Sequence, residues 1–368
     1  MFIDRLRAVI NLSNLESNYN TLKKLNNGKS ICAVVKADAY GHGSVECSLH
    51  LEKCGCNFFA VTVLKEALEI RVAGVMSDIL IFGKTDVRNI DYISKYNFIQ
   101  TIDSYEYALR LNEYRKKIRV HINIDTGMSR LGLSCQSLDS IEETVEIIRK
   151  ISKLDYIEIS GIYTHFASSD SDASFTFHQK DVFDTLISRL KKENLKYGKV
   201  HIQNSSGLIM VKEADYDFAR CGIALYGYPP LNTSEMFLPV MSLFAKVIAI
   251  RKISENHSVS YGRTFVAKED MTIATIAIGY ADGYPRILSN NDFFYFKGYK
   301  LPVIGRVCMG LTMINVSGVD IKEDDEVEIF GHNKLLEPMA KRALTITYEL
   351  LTNTAKQRID RVYVKNNE

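Results

Sequence analysis

ICAVVKADAYGHG, residues 31–43, begins like a buried strand, with five apolar residues leading to Lys36, and then turns abruptly polar and glycine-bearing. Reading outward from it, short β-rich runs alternate with helical patterns from residue 8 to about residue 228. The β runs are AVINL (8–12), ICAVVKA (31–37), FFAVTV (58–63), DILIFG (78–83), FIQTI (98–102), RVHINID (119–125), YIEISGIYTHF (156–166), KVHIQN (199–204) and DFARCGIALYG (217–227). Between them LSNLESNYNTLKKL, DSYEYALRLNEYRKK, SIEETVEIIRKISKL and FHQKDVFDTLISRLKKENL carry helical periodicity. Repeated βα units imply a parallel sheet covered by helices, and eight of them a (β/α)8 barrel, so the fold class expected is α/β. Nine runs are one too many, and the first is expected to belong elsewhere.

GYPPLNTSEMFLP (227–239) holds three of the six prolines and reads as a linker. Beyond it, VMSLFAKVIAIRKI, MTIATIAIGY, DFFYFKGYKLPVIGRV, TMINVSG and DEVEIFG are strands joined by short turns, with helical patterns only in EPMAKRAL and TITYELLTNTA. The expected division is a barrel over residues 8–230 and a mainly β domain over 236–368, which residues 1–7 are also expected to join.

Composition narrows the partners. The 368 residues carry 46 Lys and Arg against 44 Asp and Glu, with no block of like charge to hold nucleic acid or an anionic membrane. LPVMSLFAKVIAI is too short to span a bilayer and contains Lys246. The N-terminus lacks a signal-peptide pattern, so a cytoplasmic location is expected. Seven cysteines, widely spread, argue for reduced thiols. CGC (54–56) with His50 before it matches none of the usual zinc spacings, and no metal is expected.

In barrels of this kind the chemistry sits at the C-terminal ends of the strands. Lys36, DTGMSR (125–130), His165, NSSG (204–207) and ARCG (219–222) all fall at strand ends. Lysine is seldom buried without a partner; a desolvated one has a lowered pKa and forms Schiff bases with a sugar-like carbonyl or with pyridoxal phosphate. The second option needs hydroxyls and backbone N–H groups for a phosphate and a partner for a ring nitrogen. Ser205, the RCGI turn and Arg220 offer them, each a weak signal alone. His121 and His201 read as structural.

AVVKADAYGHG (33–43) closely resembles the pyridoxal-phosphate lysine motif of the bacterial alanine racemases. The resemblance continues in family order through DTGMSRLG (125–132), GIYTHFASSD (161–170), HIQNSSG (201–207), RCGIALYG (220–227), VSYGRTF (259–265), IGYADGYPR (278–286), GRVCM (305–309) and TITYE (345–349). It implies pyridoxal 5'-phosphate as cofactor, held on Lys36 by a Schiff base, and a small amino acid as substrate. Lys36 and Tyr261 are the implied bases on the two faces of the substrate, with His165 and Arg220 supporting them. Arg220 facing the ring nitrogen disfavours its protonation, where an aspartate would favour it. The implied phosphate ligands are Tyr40, Ser205, Gly222, Ile223 and Tyr348. Arg130 and Met309 match the groups that orient the substrate carboxylate, and Asp170, Tyr280, Arg286, Arg306 and Ile346 the entrance corridor. In this family Tyr261 reaches the cofactor of the other subunit, which implies an obligate homodimer with composite sites.

Two positions depart from the common pattern. Asn123 stands where many members have a carbamylated lysine that holds the substrate-binding arginine. The expectation is that its amide holds Arg130, with a bound anion such as chloride as a further support. Gly310 replaces the usual aspartate after Met309. Alanine is the favoured substrate; a serine or dual serine/alanine racemase domain of a vancomycin-resistance protein, cut from a longer membrane protein, is the alternative. A pyridoxal-phosphate decarboxylase is disfavoured by Arg220. A non-catalytic pyridoxal-phosphate carrier would lack the segment holding Tyr261, and a cofactor-free Schiff-base aldolase would not be yellow.

Overall fold

A computed structural model describes residues 5–212, 215–230, 233 and 236–366. The linker's residues 231, 232, 234 and 235 and the N-terminal residues 1–4 lie outside the described residues. The chain forms two compact units. One comprises Leu15–Ala39 and Ser44–Leu238; the other takes the N-terminal segment through Asn14, Tyr40–Gly43 and the chain from Pro239 onward.

The first unit is a nearly closed parallel barrel. Among the described residues its staves are Ser30–Val34, Phe58–Val61, Asp78–Ile81, Ile99–Ile102, Ile118–Asp125, Ile157–Thr164, Lys199–His201 and Phe218–Cys221. Through Lys199–His201 each pairs with the next, and Phe218–Cys221 pairs back onto Ser30–Val34, so the ring lacks a ladder only between Lys199–His201 and Phe218–Cys221 among the described residues. Backbone bonds from Asp217 N to Val200 O and from Arg220 N to Gln203 O, both 2.9 Å, draw the ring together. FFAV is buried at every position, as strands covered on both faces must be, which is why these runs are continuously apolar. The outer helices are amphipathic: Ile141–Ser152 buries Ile141, Thr144, Val145, Ile148 and Ile151, three or four residues apart, with acids in its first turn and bases in its last.

The second unit is a mainly antiparallel β structure. Its sheet runs Tyr299–Pro302, Phe293–Phe296, Glu326–Phe330, Met241–Ile253, Leu6–Asn11 and Asp360–Val364. From Val247 onward, with a register shift between Val247 and Ala249, the long Met241–Ile253 strand pairs instead with Met271–Ile276, which pairs with Thr312–Asn315. Leu6–Asn11 lies antiparallel to Met241–Ile253 and parallel to Asp360–Val364. The run AVINL therefore builds this unit, and the barrel begins at Leu15, not at residue 8. Its burial alternates along the strand, as a strand covered on one face requires. Asp292, fully buried, is held by Lys334 at 2.8 Å, Arg342 at 2.7 Å and the Tyr284 hydroxyl at 2.8 Å. No described helix is long and apolar enough to cross a membrane.

Candidate active site

The strand that begins ICAVV ends at Val34, and Lys36 starts a left-handed turn: Ala37, Asp38, Ala39 and Tyr40 have φ of 50, 55, 52 and 53°. For residues other than glycine this costs on the order of 1 kcal/mol each. Local bonds offset the strain. Ala37 N donates to Glu66 Oε1 (2.8 Å), Ser44 N to Asp38 Oδ1 (2.8 Å) and Ala39 N to Val35 O (2.9 Å). Lys36 is thereby fixed at the strand end, half-buried, and burial pushes its ammonium pKa below the usual lysine value. Arg130 adds to the effect and Glu66 opposes it. A cavity of about 300 Å³ beside it is lined by Lys36, Phe82, Asn123, Arg130, Tyr163 and His165, among others.

Arg220, buried on the last stave, is the hub of a polar network. Its Nη2 donates to Thr164 O (2.8 Å) and Ile202 O (3.1 Å) and lies 3.3 Å from His165 Nδ1; Nη1 lies 2.7 Å from His201 Nδ1. The guanidinium stands 5.0 Å above the Tyr163 ring. Arginine has only donors, so His201 Nδ1 accepts, and the neutral ring must carry its proton on Nε2, 2.9 Å from His121 Nδ1. Burial, with Arg220 as the next cause, drives the pKa of His165 and of His201 well below the histidine norm. Burial also lowers that of His121, to about 3. His201 and His121 thus belong to the network as buried, hydrogen-bonded rings, which agrees with their structural reading. The signal for His201 was its place on the stave that leads into NSSG.

Ser205 and Gly222 meet where two neighbouring staves end, Gly222 N donating to Ser205 Oγ at 3.2 Å, with Ile223 next in line. The Ser205 hydroxyl proton has no acceptor among the described residues, so it is available to a phosphate. A desolvated amine, a buried hydroxyl with its proton to spare and a buried guanidinium fit pyridoxal phosphate. In the β unit Tyr40 and Tyr348 face each other, ring centroids 6.0 Å apart.

The loop bearing Arg130 is built around Asp125, whose Oδ1 accepts from the N–H groups of Gly127, Met128 and Ser129. The Asn123 amide does not hold the Arg130 guanidinium. Its Nδ2 donates to Leu131 O at 2.7 Å, so it braces the loop through the backbone. Arg130 is exposed, with no side-chain hydrogen bond among the described residues.

On the β unit, Tyr261 is 73% exposed and stands on a turn between Ser260 (φ 65°) and Gly262 (φ 69°). Ser260 Oγ donates to Arg306 O (2.6 Å), and a Cβ on Gly262 would lie 3.1 Å from the Arg306 guanidinium. Ser260, Tyr261 and Cys308 share a cavity of about 450 Å³; the next residue, Met309, is 62% exposed. Tyr280 and Arg286 line a separate cavity of about 380 Å³, and Ile346 is exposed. A Cβ on Gly310 would meet Arg358 at 3.2 Å and Arg5 and Asp282 at 3.8 Å, so charged groups crowd the place where a carboxylate is missing. Asp170 is exposed on the barrel unit, accepting from Ser171 Oγ at 3.3 Å.

The family model for the alanine racemase N-terminal domain matches residues 10–230, and that for the C-terminal domain residues 240–363. The chain belongs to the alanine racemase family. Alanine racemase 1 of Clostridium acetobutylicum is 38% identical over 375 residues, covering 98% of this chain and 96% of the relative. The solved alanine racemase of Clostridium difficile 630 superposes with a TM-score of 0.93 at 34% identity, over 100% of this chain and 98% of that one. The Bartonella henselae alanine racemase, solved with covalently bound pyridoxal phosphate, gives 0.86 at 30% identity, over 98% and 100%. Alanine racemases are pyridoxal-phosphate-dependent enzymes. The match to both domains of the family separates this chain from barrel-only carriers.

Proposed function

We propose that this racemase interconverts L- and D-alanine in the cytoplasm, supplying D-alanine for peptidoglycan, with its cofactor on the barrel. The observation that carries the reading is the grouping of a desolvated Lys36, His165 and Arg220 on one barrel of an alanine racemase chain. Lys36 would hold pyridoxal phosphate covalently; Ser205, Gly222, Ile223, Tyr40 and Tyr348 would hold its phosphate, and Arg220 its ring nitrogen. When bound, the cofactor supplies an electron sink that acidifies the proton on the substrate α-carbon.

The chain's own groups then move that proton. Lys36, once released by substrate, serves as one base, and burial makes its amine easier to deprotonate than an exposed lysine. Tyr261 works from the opposite face. A phenol is protonated at neutral pH and needs positive neighbours to act as a base. His165 cannot supply that charge itself, being held neutral, but it relays the field of Arg220 by hydrogen bonding. Arg220 stays cationic and so withholds a proton from the ring, which weakens the sink and favours prompt reprotonation over side reactions.

Arg130 and the Met309 backbone orient the substrate carboxylate, with a small anion such as chloride beside Asn123 and Arg130. Asp170, Tyr280, Arg286, Arg306 and Ile346 form the corridor to the site. Tyr261 belongs to the partner's site in a homodimer, which accounts for a polar aromatic left 73% exposed. Alanine is preferred to serine, in keeping with the names of the relatives above. Side-by-side racemisation of L-alanine and L-serine tests this: kcat/KM should favour alanine, and equal or inverted values would refute the substrate assignment.

A further inference from the structure

The two helices flanking the Ser30–Val34 strand in sequence, Leu12–Leu25 and Ser44–Lys53, the second followed directly by Cys54, bring a carboxylate, an imidazole and a thiol together away from the site above. Cys54 follows His50 by one helical turn, its N–H donating to the His50 carbonyl at 3.1 Å, so the two side chains leave the same face. Glu16 comes from the other helix, its Oε2 3.3 Å from His50 Nε2. One ligand atom from each of the three lies within 4.8 Å of the other two. We propose that Glu16, His50 and Cys54 form a binding site for a divalent metal of zinc type, which ties these two helices together.

The donor set selects the metal. A thiolate, an imidazole and a carboxylate suit zinc, whereas calcium and magnesium ask for oxygen alone. Bonds of about 2.0 Å to nitrogen and oxygen and about 2.3 Å to sulfur make tetrahedral edges of roughly 3.3–3.5 Å. The Glu16–His50 separation is already such an edge. The rest closes by side-chain rotation, for which Glu16 has room, 47% of its side chain being accessible. Cys56 is not the thiol concerned: its Sγ is turned to the barrel backbone, toward Ile31 O and Phe58 O, and burial pushes its pKa up to about 11. That is why the CGC spacing misleads, since the third ligand lies on another helix. On binding, the Cys54 S–H bond breaks as the metal–sulfur bond forms and its proton goes to solvent; His50 and Glu16 contribute lone pairs. A fourth position remains for water.

The test uses the full-length cofactor-loaded protein, stripped with chelator and titrated with cobalt(II) alone, then with zinc in competition. One equivalent of cobalt should raise a thiolate-to-cobalt absorption and release a proton, and zinc should abolish the absorption. Cys54→Ser should lose the absorption, His50→Gln and Glu16→Gln should weaken binding by at least about tenfold, and racemisation should be unchanged in all three. Absence of the absorption at tens of micromolar cobalt, or its survival in Cys54→Ser, overturns the proposal. Glu16→Gln alters an exposed side chain, so the comparison stands even if a cysteine variant folds poorly.

Discussion

The buried histidines make the stability of this protein sensitive to acid, and His121 gives the effect a size. Its pKa is lowered from 6.5 to about 3, chiefly by burial, with Lys199, Arg119 and Arg220 adding repulsion. Between those two values the unfolded chain binds a proton that the folded chain refuses. The stability from the neutral ring is therefore fully present above pH 6.5 and is lost as pH falls toward 3. At about pH 5 the loss is roughly 2 kcal/mol, and near the folded pKa on the order of 5 kcal/mol, a sizeable part of a typical domain's stability. His121→Asn isolates this group. The amide oxygen can stand where Nδ1 now accepts from His201, keeping the bond while removing the proton site. Urea unfolding of both proteins at a series of pH values from 7.5 to 4.5 measures the difference. The wild type should lose stability faster, by close to one proton's worth of slope below about pH 6. Parallel slopes would refute the reasoning. A steep slope retained by both is expected from His165 and His201, which are depressed in the same direction.

Two further perturbations probe other parts of the molecule. Asp292→Ala leaves Lys334 and Arg342 facing each other in the β core and should cost about 3–5 kcal/mol. Lys334→Met leaves Asp292 paired with Arg342 and Tyr284 and should cost less; denaturant midpoints decide, and the reverse order would contradict this. Ser205→Ala removes the buried hydroxyl beside Gly222 N and should loosen the cofactor by about 1 kcal/mol, read as faster loss of its absorbance on dialysis; unchanged retention would remove Ser205 from the phosphate site.

The barrel was legible because staves buried on both faces must be written as unbroken apolar runs, as FFAV is and as DILI is after its half-buried Asp78. Leu6–Asn11 could not be assigned on the same signal. AVINL resembles a stave, and only pairing with Met241–Ile253 and Asp360–Val364 exposes its one-sided burial. Residues 37–40 contain no glycine to announce a left-handed turn, which is held instead by Glu66 and Ser44. Lys36 and Arg220 stood out as charges at strand ends. His201 did not, because a strand histidine gains meaning only when the fold sets a guanidinium 2.7 Å from its ring. The amide of Asn123 was expected at a side chain and is spent on a carbonyl. The cationic partners of Asp292, Lys334 and Arg342, lie 42 and 50 residues from it in sequence, beyond any local pattern.

In the proposed homodimer, Lys36 of one copy and Tyr261 of its partner act on the same substrate. Subunit mixing tests it directly: inactive Lys36→Ala and Tyr261→Ala proteins are unfolded together, refolded and assayed for alanine racemisation. Shared sites predict recovery to about one quarter of wild-type activity, since half of the dimers are mixed and each mixed dimer holds one intact site. No recovery, with mixed dimers demonstrably formed, would place both bases in one chain and contradict the account.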